Sequence, residues 1–383
     1  MGESTESMAY IRPQGSPTAK VWIVTEQPYP QDVQAGYIWS AGYGRMFTAM
    51  MNTVGIRDFY VIARRPDLDH PDTYTVLETE IEQYKPPIII PIEEAGTFLC
   101  RELIKNEFSK RKLAQGESEI SKYAGSIITS KFLSYPHYVI PTFAPDTVMK
   151  QFKLKDIVTY LDLGKASDEL AFFEKNGFLQ QLPQRDLRYD ISDFDELMGY
   201  LERFSSVSLL SNDLEVVYPK NKSSVYWGHP GLPTCIGLAD SKNFGISFEA
   251  FQGEDRAGIK RTAQLWRKLQ SIFDRVDQLG QNFYNFDEPR YRMLGFRIPR
   301  ARIHDTLIRQ HILWPELPKT LQFMTRQYTR EPYYKDEGHG WSFKDMRRLK
   351  RYNCLDACVT MEVFEAQYGE FKKRPYLLGE ATA

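Results

Sequence analysis

The chain has 383 residues, 42% of them hydrophobic and 14% aromatic, with a formal net charge of −1. That length favours two globular units over one, and the apolar content excludes a disordered chain. The balanced charge excludes a uniformly basic nucleic-acid binder, so affinity for phosphate has to come from local patches or bound metal. Cys100, Cys235, Cys354 and Cys358 include no C-x-x-C pair, which argues against a zinc or iron–sulfur site and against a disulfide framework. The N-terminus lacks a basic-then-apolar leader, and no apolar run approaches membrane-spanning length. The sequence therefore predicts a soluble, cytoplasmic protein.

Short apolar runs at residues 21–24, 59–62, 88–92 and 138–141 are separated by helical stretches at 45–54 and 74–84. β-branched runs alternating with helical patterns predict an α/β unit with a mostly parallel sheet. A closing helix is expected over 156–166, and the segment 167–190, which mixes a helix with Gly and Pro, is the expected junction. The second unit, 191–383, opens with a helix at 194–204 and a buried strand at 207–211 that leads into Asp213. Strands at 234–239 and 244–248 follow, then helices at 263–279, 288–294 and 344–368. Strands first and helices after predict a mixed sheet.

Three acidic groupings stand out in the second unit. Asp213-Leu214-Glu215 ends the first strand; residues two apart in a strand share a face, so both carboxylates can meet one metal while Leu214 faces the core. Asp287 closes the run Asn282-Phe283-Tyr284-Asn285-Phe286 and starts a helix. Tyr352 and Asp356 lie four apart in a helix and so share a face. Singly, each has a bland reading: a solvated strand end, a helix cap, an incidental pair. His304-Asp305 reads as a helix cap. The basic runs Arg290, Arg292, Arg297, Arg300, Arg302 and Arg347, Arg348, Lys350, Arg351 read as solvated helix faces or as a surface that tracks phosphates.

In order and spacing, Asp-x-Glu, Asn-x-x-x-Phe-Asp and Tyr-x-x-x-Asp resemble the exonuclease motifs of the DEDD superfamily, tyrosine subclass. That family comprises proofreading domains of DNA polymerases and related RNases. The third motif, Tyr352 to Thr360 (YNCLDACVT), is a specific match to that family, and the stretch from 315–321 to 333–337 also looks like phage-type family A polymerase proofreading domains. Val216 departs from the Thr that family A members often carry there, and the second motif has family B spacing.

This resemblance implies a ribonuclease-H-like fold and a 3′→5′ DNA exonuclease that releases nucleoside 5′-monophosphates. Two Mg²⁺ or Mn²⁺ ions are expected, roughly 3.5–4 Å apart across the scissile phosphate. Such hard cations take oxygen ligands. By resemblance, Asp213 bridges both ions, Glu215 and Asp356 support the one that activates water, and Asp287 holds the second partly through water. Tyr352 orients the attacking hydroxide. Substrate contacts are expected from Asn282, Phe286, Arg290 and Arg351.

The first unit, 1–166, resembles the uracil-DNA glycosylase-like domain, a three-layer α/β fold, that is fused to phage-type family A polymerases. The matching parts are Thr25-Glu26-Gln27-Pro28, the helix after Gly42-Tyr43-Gly44-Arg45, the strand at 86–92, and Ile140-Pro141-Thr142-Phe143-Ala144-Pro145. Active members carry His where Ala144 stands, and an Asn near the position of Ala63. A glycosylase must read the flipped base and stabilise the departing uracil anion. Without those two residues the domain is expected to contact DNA or dock a protein rather than excise uracil; Glu26 survives after the first strand and reads equally as a remnant of the family's site or as a structural residue. Too few residues follow Asp356 for a polymerase palm, so proofreading is expected in trans, on a single-stranded or frayed 3′ end presented by a separate polymerase. The alternatives are an RNase-D-like RNA-trimming exonuclease and a non-catalytic DNA-binding accessory of a replisome.

Overall fold

A computed structural model describes residues 11–25, 28–63, 73–92, 123–129, 133–217, 231–338 and 345–377. The chain divides into two compact units at Leu182/Pro183.

In the first unit, β1 (Gln14–Gly15), β2 (Val21–Thr25), β3 (Tyr60–Ala63), β4 (Ile88–Pro91), β5 (Ile128–Thr129) and β6 (Tyr138–Val139) form one sheet in the order β1-β3-β2-β4-β6-β5. The four central strands are parallel, and the two-residue edge strands β1 and β5 are antiparallel. Every residue of β2 and β4 is buried, as expected for strands covered on both faces. The connections carry α1 (Pro30–Ala35), α2 (Gly42–Thr53) and α3 (Thr73–Tyr84). After β6 come α4 (Pro145–Lys150), α5 (Phe152–Asp156), a π-helical stretch Ile157–Leu163, and α6 (Gly164–Asn176). The helix expected to close near Ala166 thus runs ten residues further, to Asn176, where Gly177 adopts a left-handed φ of 78° and caps it. Leu170, Leu179 and Leu182 pack against the first core, so much of the expected linker belongs to the first unit.

In the second unit, β7 (Asp186–Arg188), β8 (Leu209–Val217), β9 (Leu232–Ser241), β10 (Phe244–Glu249), β11 (Asp277–Gly280) and β12 (Ile303–Asp305) form a sheet in the order β12-β11-β8-β9-β10-β7. The strands β8, β9 and β10 make an antiparallel meander; β11 and β12 add on the far side of β8, parallel to it. This is a ribonuclease-H-like order. Three strands escape the sequence reading. The edge strand β7 pairs in parallel with β10 inside the expected linker, and β11 overlaps the end of the expected helix at 263–279. With β12, all three are only three or four residues long, too short to show a period of two.

The helices of this unit are α7 (Phe194–Phe204), α8 (Arg256–Phe273), α9 (Asp287–Met293), α10 (Thr306–Leu313), α11 (Leu321–Tyr328) and α12 (Arg347–Lys373). Successive strand residues point to opposite faces, and the two faces differ in size. Ile236, Leu238, Ile246 and Phe248 join Leu201 and Phe204 of α7 and Leu265 and Leu269 of α8 in one core. Their neighbours Gly237, Ala239, Gly245 and Ser247 are small, and on that side α12 lies against β8, β9 and β10. The fit is tight: a Cβ at Gly237 would sit 2.5 Å from the Asn353 carbonyl oxygen, and one at Gly245 would sit 2.7 Å from Cys358 Sγ. These glycines let α12 dock closely on β9 and β10, beside β8, which carries the acidic pair within the strand rather than at its end. Cys235, Cys354 and Cys358 are buried free thiols, and Cys100 lies outside the described residues. Among the described residues, no helix is long and apolar enough to cross a membrane.

Candidate active site

On β8, Asp213 pairs with Gly237 and Glu215 with Cys235, while Leu214 pairs with Ile236 of the core face. Both carboxylates therefore face α12, as the D-x-E spacing predicts. From α12, Asp356 joins them: one oxygen from each of Asp213, Glu215 and Asp356 lies within 4.8 Å of the others. Asp287, the first residue of α9, is buried outside this trio, and its Oδ1 accepts the Leu214 N–H at 3.0 Å. It thus grips the strand between the two acidic residues. Tyr352 is one turn before Asp356 on the same face, as its spacing predicts.

Lys335 stands beside them, and its importance was not evident from the sequence. Its Nζ lies 2.7 Å from both Asp356 oxygens and donates to the Tyr352 hydroxyl at 3.1 Å. Asp213, Lys335, Tyr352 and Asp356 line a cleft of about 580 Å³, which Asn282 and Gln322 also border. Burial, then the neighbouring Asp356, pushes the Asp213 carboxyl up to about 7. Burial and Asp213 hold both Glu215 and Asp287 well above the usual carboxylate range. Burial and the Asp356 carboxylate also raise the Tyr352 hydroxyl, so it remains a hydrogen-bond donor at neutral pH. The carboxylates are held together against their own repulsion. An all-oxygen donor set of this kind fits a hard divalent cation, with Asp213, Glu215 and Asp356 as the residues that would hold it.

The expected substrate contacts fare unequally. Asn282 borders the cleft, in a left-handed conformation (φ 59°) that Asn tolerates better than most residues. Arg290 is 7% exposed; its guanidinium stacks 3.6 Å over the Phe286 ring, one turn back, and bonds the Phe286 carbonyl. That pair props up the start of α9 and does not line the cleft, and Arg351 is paired with Glu337 instead. Much of the basic character near the site is balanced too, through Arg292–Glu288, Arg302–Asp277, Arg347–Asp190 and Lys350–Glu249.

Asp305 does cap α10, accepting the Leu307 N–H at 2.9 Å, but it does more. Its two oxygens also take the backbone N–H groups of Asn282 at 2.9 Å and Tyr284 at 3.3 Å, fixing the loop that leads into Asp287. The sequence shows the cap position of Asp305 but not this second role, because the loop it holds lies 21–23 residues earlier in the chain.

No protein-family model matches the sequence, and none of the curated proteins matches it. Among solved structures, the chain is similar to the EXO domain of Aedes aegypti Nibbler, at 14% identity and a TM-score of 0.40, over 53% of this chain and 100% of that one. It is also similar to the catalytic core of RRP6 from Trypanosoma brucei, at 12% identity and a TM-score of 0.38, over 53% of each chain. A third is Escherichia coli RNase D, an exoribonuclease involved in structured RNA processing, at 15% identity and a TM-score of 0.38, over 52% of this chain and 48% of that one. The chain spans about half the length of the trypanosome and bacterial structures. At these identities the likeness is one of fold alone.

Proposed function

We propose that the second unit is a metal-dependent 3′→5′ exonuclease. The observation that carries this reading is the convergence of Asp213, Glu215 and Asp356 within 4.8 Å, with Asp213 and Asp356 lining an open cleft. Divalent ions, when bound, supply charge to the scissile phosphate and lower the pKa of the attacking water. The chain's own groups do the rest. Asp213, Glu215 and Asp356 hold the cations; Asp287 fixes the strand that presents the first two. The protonated Tyr352 hydroxyl orients the attacking water, and Lys335 balances the charge of Asp356. A cleft of about 580 Å³ suits one terminal nucleotide lifted out of its stack.

The substrate in this proposal is DNA, and the task is proofreading for a polymerase on a separate chain. Support comes from the phage-type polymerase resemblance of both halves of the sequence. The first unit is read as a glycosylase-like domain, 1–166, that has lost excision. Its four parallel strands in the order β3-β2-β4-β6 suit a doubly wound α/β domain, with its ligand crevice at the carboxyl ends of the strands. There Ala63 ends β3, and Ala144, 9% exposed, precedes α4. Neither side chain can read a base edge or donate to a leaving anion. Glu26 lies outside the described residues.

The test is parallel digestion of single-stranded DNA and RNA of one sequence with Mg²⁺ or Mn²⁺, followed by product analysis. Stepwise release of nucleoside 5′-monophosphates from DNA 3′ ends is the expected result. Release from RNA alone would reassign the substrate, and release from neither would remove the nuclease reading.

A further inference from the structure

Next to Tyr352 on α12 is Asn353, whose side chain is fully buried although no part of the reaction requires an amide there. Its Nδ2 donates to Asp213 twice, to the backbone carbonyl at 3.0 Å and to carboxylate Oδ2 at 2.7 Å. Its Oδ1 accepts the Ser247 hydroxyl at 2.7 Å. The amide orientation is dictated by chemistry: the Asp213 backbone carbonyl only accepts, so the edge facing Asp213 has to be the NH₂ group. Gly237, directly across from Asp213, leaves the space that the amide fills, since a Cβ there would come within 2.8 Å of Asn353 Oδ1.

We propose that Asn353 is a positioning residue for the metal centre, one that clamps Asp213 so that its remaining carboxylate lone pairs are presented to the cation. This rests on the metal-dependent reading of the site given above. Hydrogen bonds to one oxygen fix the rotation of a carboxylate, and the two bonds from Nδ2 tie the Asp213 side chain to its own backbone through one group. Ser247 on β10 holds the amide in turn. The clamp therefore runs from β10 through α12 to β8, and it joins the helix that bears Asp356 to the strand that bears Asp213 and Glu215. Outer-shell partners of this kind orient ligands, and their loss typically costs about 10–100-fold in metal affinity or activity.

The experiment measures Mn²⁺ binding to the full chain by electron paramagnetic resonance of the free ion, without substrate. Wild type, Asn353→Ala and Ser247→Ala are compared, with near-UV circular dichroism as a check on folding. Asn353→Ala is expected to weaken Mn²⁺ binding about 10–100-fold, and Ser247→Ala, which leaves the amide in place but unsupported, by a smaller factor. In digestion assays the Asn353→Ala defect should shrink as Mn²⁺ is raised, a split that a purely structural role would not produce. Wild-type Mn²⁺ affinity in a folded Asn353→Ala or Ser247→Ala protein would overturn the proposal. If Asn353→Ala fails to fold, Ser247→Ala alone decides. Wild-type chain that binds Mn²⁺ but releases no nucleotide would remove the nuclease reading while this clamp stands; wild-type chain that binds no Mn²⁺ overturns both.

Discussion

Replacing Asp213 with Asn removes one charge from the carboxylate cluster and keeps the shape that Asn353 grips, because an amide oxygen still accepts from Nδ2. In metal-free protein the Asp213 carboxyl is pushed from its ordinary 3.8 up to about 7 by burial and by Asp356. A carboxyl raised in the folded state binds more protons folded than unfolded between those two values. Stability should therefore fall as pH rises from about 4 through about 7, then level off. At about 1.4 kcal/mol per pH unit, the gap sets an upper bound of roughly 4 kcal/mol. Water in the open cleft screens part of this, leaving an expected 2–3 kcal/mol, on the order of 5–10 °C in the melting temperature of a unit this size. In chelator at pH 8, Asp213→Asn should thus melt higher than wild type, and the two curves should converge near pH 4. Saturating Mn²⁺ should reverse the ranking by stabilising wild type alone. The assay is thermal unfolding of both proteins from pH 4 to 8.5, with and without metal. Identical pH profiles in chelator would refute the reasoning.

Metal affinity should itself rise with pH up to about 7, since bound cation displaces protons from Asp213; titration calorimetry in two buffers of different ionisation enthalpy detects the released protons. Tyr352→Phe should slow single-turnover cleavage about 10–100-fold while leaving DNA affinity within about twofold, because it removes an orienting hydroxyl and no cation ligand. Gly237→Ala should destabilise the second unit by about 1–3 kcal/mol in denaturant titrations, as the new methyl group pushes α12 off the sheet. Unpairing costs less at a mismatch, so mismatched 3′ ends should be cut roughly ten- to a hundredfold faster than matched ones. Uracil-containing DNA exposed to the Asp213→Ala, Glu215→Ala double variant of this chain should gain no alkali-labile sites; their appearance would contradict the inactive reading of the first unit.

Where the sequence carried a strong local signal, it led to the right geometry. The D-x-E spacing implies two carboxylates on one face of a strand, and Tyr352 and Asp356 one turn apart imply one face of a helix; the structure has both. Signals that depend on partners far along the chain were not legible. Lys335 is one of 49 basic residues, and nothing in its neighbourhood shows that Asp356 will lie 2.7 Å away. A charge run says nothing about which member turns inward, as Arg290 does onto Phe286. The alternation Ile236-Gly237-Leu238-Ala239 is itself legible in the sequence. Large residues on one face and small ones on the other mark a sheet that meets bulky helices on one side and a closely docked helix on the other. The short strands β7, β11 and β12 exist only through their pairing with longer neighbours, so no local pattern announces them.

The central claim is that Asp213, Glu215 and Asp356 form a cation-dependent nuclease centre. Its most direct test is single-turnover digestion of 5′-labelled single-stranded DNA by wild type and by the Asp213→Ala, Glu215→Ala double variant, each in Mg²⁺ and in chelator. A ladder of 3′-shortened products is expected from wild type with Mg²⁺, and uncut DNA in the other three reactions. Equal ladders from wild type and the folded double variant, or from wild type in chelator, would contradict it.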